Sequence, residues 1–306
     1  MASPARRDVE FKTFDGLTLR GWFYPAAGGL EKSPAIVIAH GWTLVKEMNL
    51  DLIAEKFQAA GFASLVFDNR NFGASDGLPR QEANPNHQSL DYHEAVTFLV
   101  NTPEVDASKI ATWGYSLSGS YAIKAGAIDR RIKAVITVCP MLSTHKILQR
   151  MIPAPHRTAV EALLFAERAA RMRGDEPAYG VVASEDPAKQ AIFMIPGDVD
   201  WLLTMQKTKA PAWENRYTIH SRFDILSYHP TGFVEALCPT PWLLVQGNED
   251  HSCPPDLSME MFARALEPKE LVMFKGGHFT PFAGKAFEDT MAAEIDFLKR
   301  KFILAP

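Results

Sequence analysis

Five consecutive residues, Ala35-Ile36-Val37-Ile38-Ala39, are all apolar, and His40-Gly41 closes the run. A strand with one wet face alternates polar and apolar side chains, so a run without alternation is buried on both faces. Such a strand requires a layer of other elements on either side of its sheet. Similar runs recur at 63–67, 134–138 and 241–246, with a shorter one at 110–113, and segments of helical periodicity lie between them at 50–60, 89–100 and 257–266. Strands alternating with helices imply a mostly parallel sheet. An opening pair, 9–13 and 17–24, is split by Asp15-Gly16, which predicts an antiparallel hairpin at the sheet's start. The strand 271–274 and a helix over 287–302 complete the pattern.

The alternation breaks after Pro140 and resumes only at Pro241. Residues 158–172 carry a helical pattern; beyond them the sequence is irregular, with Pro, Gly, Trp and Tyr scattered through it. A structureless loop of this length is improbable inside a compact domain, which predicts an inserted, mainly helical lid over 140–239 on a core formed by 1–139 and 240–306. With 47% hydrophobic residues, the 306-residue chain can fill such a core as one unit. Its 32 basic and 36 acidic side chains, net −4, provide no positive field for nucleic acid or anionic lipid. No apolar run is long enough to span a bilayer, and Met1 to Arg7 lead into polar sequence rather than a secretory leader. Three cysteines, Cys139, Cys238 and Cys253, without CxxC spacing, fit a reducing cytosol and no disulfide framework.

The chemistry is concentrated at strand ends. Gly114-Tyr115-Ser116-Leu117-Ser118-Gly119 joins a buried strand to a small-residue helix, an arrangement that exposes a serine on a sharp turn. Ser118 replaces the usual second glycine, which leaves Ser116 the favoured nucleophile and Ser118 its rival. A serine hydroxyl needs a base to take its proton and a carboxylate to orient that base. Asp250 follows the strand ending at Gln246, with Glu249 as competitor, and His278 follows the last strand in Gly276-Gly277-His278. A histidine base implies activity that rises from acid to neutral pH. The N–H groups of Leu117 and of Trp42, or of Thr43 in its place, are candidates for holding an oxyanion. The remaining eight histidines show no metal-ligand spacing with a third donor, so neither metal nor cofactor is expected.

These residues resemble the α/β-hydrolase superfamily along nearly the whole chain. The likeness rests on His40-Gly41, the loop Asp68-Asn69-Arg70-Asn71-Phe72-Gly73-Ala74-Ser75-Asp76-Gly77, the serine turn, Gly247 to Asp250, and Gly277-His278. The Gly-Tyr-Ser-Leu-Ser-Gly turn, the Asp-Asn-Arg loop and the wide lid are further similar to fungal polyketide-cluster thiohydrolases and polyketide transferases. The resemblance implies an eight-stranded, mostly parallel sheet with helices on both faces. It also implies acyl-enzyme chemistry on an ester or thioester, with the acyl chain delivered by a carrier domain of a polyketide synthase. His40, Tyr115, Trp201 and Tyr179 are candidate substrate contacts, and Phe193 and Met194 candidate pocket walls. A lyase or cyclase on the same scaffold, or a ligand-binding protein without turnover, are the competing readings. The lid's apolar residues could cover the site, pair with a second subunit, or do both.

Overall fold

The computed structural model describes residues 5–28, 31–152 and 154–303. Met1 to Pro4, the start of the stretch read for a leader, lie outside them. Eight strands form one sheet: β1 (Arg7–Lys12), β2 (Thr18–Tyr24), β3 (Ser33–Ala39), β4 (Ala63–Phe67), β5 (Val105–Tyr115), β6 (Ile132–Val138), β9 (Trp242–Gly247) and β10 (Lys269–Phe274). Their order is β1-β2-β4-β3-β5-β6-β9-β10. β1 pairs antiparallel with β2 and β2 antiparallel with β4; every other pairing is parallel. Ala35 to Ala39 are wholly buried at the centre of this sheet, as a run without alternation requires. The hairpin turn is wider than Asp15-Gly16 alone. Thr13 closes it, its hydroxyl on Asp15 (2.6 Å) and its backbone N–H on Leu17 O (2.9 Å).

Helices α1 (Leu50–Ala59), α2 (Pro85–Val100), α3 (Leu117–Ile128), α9 (Pro255–Arg264) and α10 (Gly284–Ile303) belong to the core. α2 begins four residues before the expected start because Pro85 occupies its first position and the Asn84 side chain accepts from His87 N. β5 is also longer than 110–113, picking up polar residues that the apolar run alone could not reveal.

Between β6 and β9 the chain forms α4 (Thr144–Met151), α5 (Arg157–Met172), β7 (Tyr179–Val181), α6 (Pro196–Thr208), β8 (Arg216–Thr218), α7 (His220–Ser227) and α8 (Gly232–Ala236). The expectation of irregular chain beyond residue 172 is corrected: three helices and a two-stranded antiparallel sheet, β7 with β8, lie there. These helices are short, and α6 and α7 each bury two side chains, so their sequences carry little apolar periodicity. α4 and α5 pack on α7, whereas α8 packs on α3 and α9 of the core. Hydrogen bonds tie lid to core: Trp213 Nε1 donates to Thr43 O (2.8 Å), Thr218 N to Gln81 O (3.0 Å) and Ala83 N to Ser221 Oγ (2.9 Å).

Candidate active site

β5 ends at Tyr115 and α3 begins at Leu117, so Ser116 alone turns the chain, at φ 54° and ψ −120°. A non-glycine residue in that region is strained and persists only where its surroundings enforce it. Two contacts do so. Ser116 N donates to Val138 O (3.0 Å), and Ser116 O accepts from Gly119 N (3.0 Å) and Met141 N (2.8 Å). The close approach explains the small residues: a Cβ on Gly41 would fall 2.6 Å from Ser116 Cβ, and one on Gly119 would fall 2.7 Å from Pro140 Cβ.

The side chains expected to act together meet. His278 Nε2 lies 3.2 Å from Ser116 Oγ, and His278 Nδ1 lies 2.8 Å from Asp250 Oδ2. All three side chains are buried. Asp250 Oδ1 accepts from the backbone N–H groups of Ser252 (2.9 Å) and Cys253 (2.8 Å), which fix the carboxylate in one orientation. Glu249, the competitor, is exposed. Ser118, the rival serine, is buried with its hydroxyl donating to the His40 carbonyl, where it serves as a tie between α3 and the loop after β3.

That loop is held unusually well. The Asp68 carboxylate accepts from Lys46 N (2.8 Å) and Lys46 Nζ (2.6 Å), and Asn69 Nδ2 donates to His40 O (2.8 Å). Arg70 reaches the other way, its guanidinium spanning Asp91 (2.5 and 2.8 Å) and Asp15 (2.7 and 3.1 Å). The Asp-Asn-Arg loop is therefore scaffolding for Trp42 and Thr43. Neither the Trp42 nor the Leu117 backbone N–H enters a hydrogen bond among the described residues, and the same holds for Thr43. Both flank Ser116: Leu117 is its neighbour in sequence, and Trp42 follows the glycine pressed against its Cβ.

None of the four expected substrate contacts, His40, Tyr115, Trp201 and Tyr179, lines the cavity that lies against Trp42, and of the two expected walls Met194 does and Phe193 does not. His40 is buried, its Nε2 on Met48 O (2.7 Å), and burial pushes its pKa down to about 4, so the ring is a neutral packing element. Tyr115 is buried too; its hydroxyl donates to His278 O (2.8 Å), and its ring centroid lies 4.8 Å from the imidazole, so it positions His278 rather than touching substrate. Tyr179 stands on β7, half exposed, under the Arg216 guanidinium and bonded to Arg80 O (3.2 Å). Trp201 stacks on Phe279 (4.3 Å, 14°), the residue after His278, and Phe193 stacks on His278 itself (6.0 Å, 29°).

A cavity of about 160 Å³ lies against Trp42, and none of Ser116, Asp250 and His278 is among the residues that line it. Trp42, Leu148, Ile152, Val160 and Ile192 line its apolar part, with Met194, Arg222 and His156 among the rest of its wall. Two neighbours of the serine carried no signal in the sequence. Cys253 Sγ lies 3.9 Å from Ser116 Oγ, and Cys139 stands with Asp250 and His278, donor atoms within 4.8 Å of one another. Such a trio could ligate a metal in principle. Here burial pushes the Cys139 thiol up, keeping it protonated, and both ring nitrogens of His278 are already engaged.

A family model described as the alpha/beta hydrolase fold matches residues 34–284. The chain belongs to the α/β hydrolase fold family. Within it, a polyketide transferase of a Penicillium species is 34% identical over 96% of this chain and 96% of its own length. A thiohydrolase of Eupenicillium brefeldianum is also 34% identical, over 96% of this chain and 94% of its own. The crystal structure of the α/β hydrolase GrgF from Penicillium sp. sh18 superposes with a TM-score of 0.84 at 33% identity, covering 97% of this chain and 99% of that one. The eight-stranded sheet and the fungal thiohydrolase and polyketide transferase likeness are thus both established for this α/β hydrolase. Among its described residues no helix is long and apolar enough to cross a membrane.

Proposed function

We propose that the protein transfers an acyl group from a thioester or ester through a covalent intermediate on Ser116. The observation that carries this reading is the unbroken chain Ser116–His278–Asp250, with the serine on a strained turn. Ser116 Oγ attacks the acyl carbon while its proton passes to His278 Nε2, and Asp250 holds the Nδ1 proton and balances the imidazolium. The Leu117 and Trp42 amides receive the oxyanion, each worth roughly 3 kcal/mol of transition-state stabilisation. Collapse breaks the carbon–sulfur or carbon–oxygen bond, and the leaving group takes the proton from His278. Water, or an acceptor alcohol or amine, then attacks the acyl carbon as its proton passes to His278, and the bond to Ser116 Oγ breaks as His278 returns that proton to the serine.

The relatives' names, thiohydrolase and polyketide transferase, support a thioester as the acyl donor and transfer alongside hydrolysis; delivery of that thioester by a polyketide synthase carrier domain is part of the same proposal. Product analysis with and without an acceptor nucleophile separates the two. Three free cysteines, two of them buried, support a reducing compartment such as the cytosol. The deciding experiment is labelling with a fluorophosphonate probe. The native chain should label, and Ser116→Ala should lose all labelling while keeping its melting temperature within a few degrees. Labelling that persists in Ser116→Ala, or falls in Ser118→Ala instead, would overturn the assignment.

A further inference from the structure

The lid supplies a second carboxylate to the site. Asp198 lies in the first turn of α6, three residues before Trp201, and its Oδ2 accepts from Ser252 Oγ (3.4 Å). Ser252 in turn donates its backbone N–H to Asp250 Oδ1 (2.9 Å), so one residue bridges a lid acid and the acid that orients His278. The Trp201–Phe279 stack and the Phe193–His278 stack clamp the same part of the lid onto the loop that carries the imidazole. Resting on the reading of His278 as the base, we infer that Asp198 is a positioning residue that shares with Asp250 the stabilisation of the His278 imidazolium. The nucleophile, base and first acid come from the core, and the second acid arrives with the lid.

The electrostatics have one sign. A carboxylate near an imidazole favours its protonated form, because the charged pair attract in a site that water hardly screens. Burial raises the Asp198 pKa, and the attraction of His278 opposes that rise. The groups facing His278 are Asp250, Asp198, and the Cys139, Cys253 and Tyr115 side chains, whose pKa values burial pushes well up so that they stay neutral. The exposed His251 sits near Asp198 on its outer side.

The test is the pH profile of kcat/KM with an acyl thioester for the native enzyme, Asp198→Asn, Asp198→Glu, His251→Asn and Asp200→Asn. Asp200 lies exposed on the same helix and controls for surface charge. Loss of the Asp198 charge removes part of what favours the imidazolium, so the acid limb of the profile should move to lower pH by roughly half to one unit. The plateau should fall by a matching factor, roughly three- to tenfold, since both report one interaction. Asp198→Glu should return the limb towards its native position, and Asp200→Asn should move neither. A plateau that falls with the limb unmoved would make Asp198 merely structural and overturn the inference. So would a limb that moves in His251→Asn but not in Asp198→Asn. Full fluorophosphonate labelling of Asp198→Asn at the plateau separates these outcomes from a failure of the serine mechanism itself.

Discussion

Glu294, on α10, is a carboxylate in the core whose one side-chain partner among the described residues is the Trp113 indole, with Nε1 donating at 2.9 Å. Burial raises its pKa to about 8. The folded state therefore holds a proton that the unfolded chain releases near pH 4.5, so stability falls as pH climbs between those values, by at most about 1.4 kcal/mol per unit. Glu294→Gln removes that dependence. Its melting temperature should match the native protein near pH 5 and exceed it increasingly towards pH 8; a constant offset across that range would refute the assignment. Side chains of this kind were only partly legible in sequence. Ser116, Asp250 and His278 were, because each follows a strand whose apolar run is visible. Cys253 and Asp198 were not, since their places depend on how a turn and a lid helix fold back, and neither sits at a marked spacing. The opposite error concerned His40: a histidine beside a glycine at a strand end looks like a site residue, but there its ring is what the loop packs around.

Arg70 joins three elements: the β1–β2 turn through Asp15, the loop after β4 that carries it, and α2 through Asp91. The pair with Asp91 is buried on both sides, so removing one partner strands a charge in the core. Arg70→Met should cost roughly 3–5 kcal/mol in a urea titration. Arg70→Met with Asp91→Leu should recover much of that loss, because the stranded carboxylate is then gone. The strands were read well because a doubly buried strand announces itself by composition. In the lid, α5 was legible from its pattern, whereas α6, α7 and α8 were missed because they bury only one or two residues each, which leaves no stripe for periodicity to find.

At the scale of the molecule, the proposed acyl transfer implies that the segment between β6 and β9 sets which acyl group fits, since most of the cavity's lining comes from it. A cavity of about 160 Å³ matches the size that holds a six-carbon ring, so an acyl chain of roughly six carbons should fill it. Val160 on α5 lines that space, and Val160→Trp should fill it. With a series of acyl thioesters, the variant should lose at least about tenfold in kcat/KM on a six-carbon chain, a loss of roughly 1.4 kcal/mol, and keep its rate on an acetyl group. Equal losses on both chains would mean that the substrate enters elsewhere.

β6 and β9 are hydrogen-bonded neighbours, although about a hundred residues separate them. To the sheet, that whole interval is a loop between two adjacent parallel strands, and the entropy of closing a loop grows only slowly with its length, about 0.6 kcal/mol per doubling. Segments there can lengthen, shorten or be exchanged while every strand keeps its register. Ser116 and His278 lie outside the interval, and the cavity wall lies mostly inside it. Such a layout lets a lineage change what it accepts at little risk to what it does.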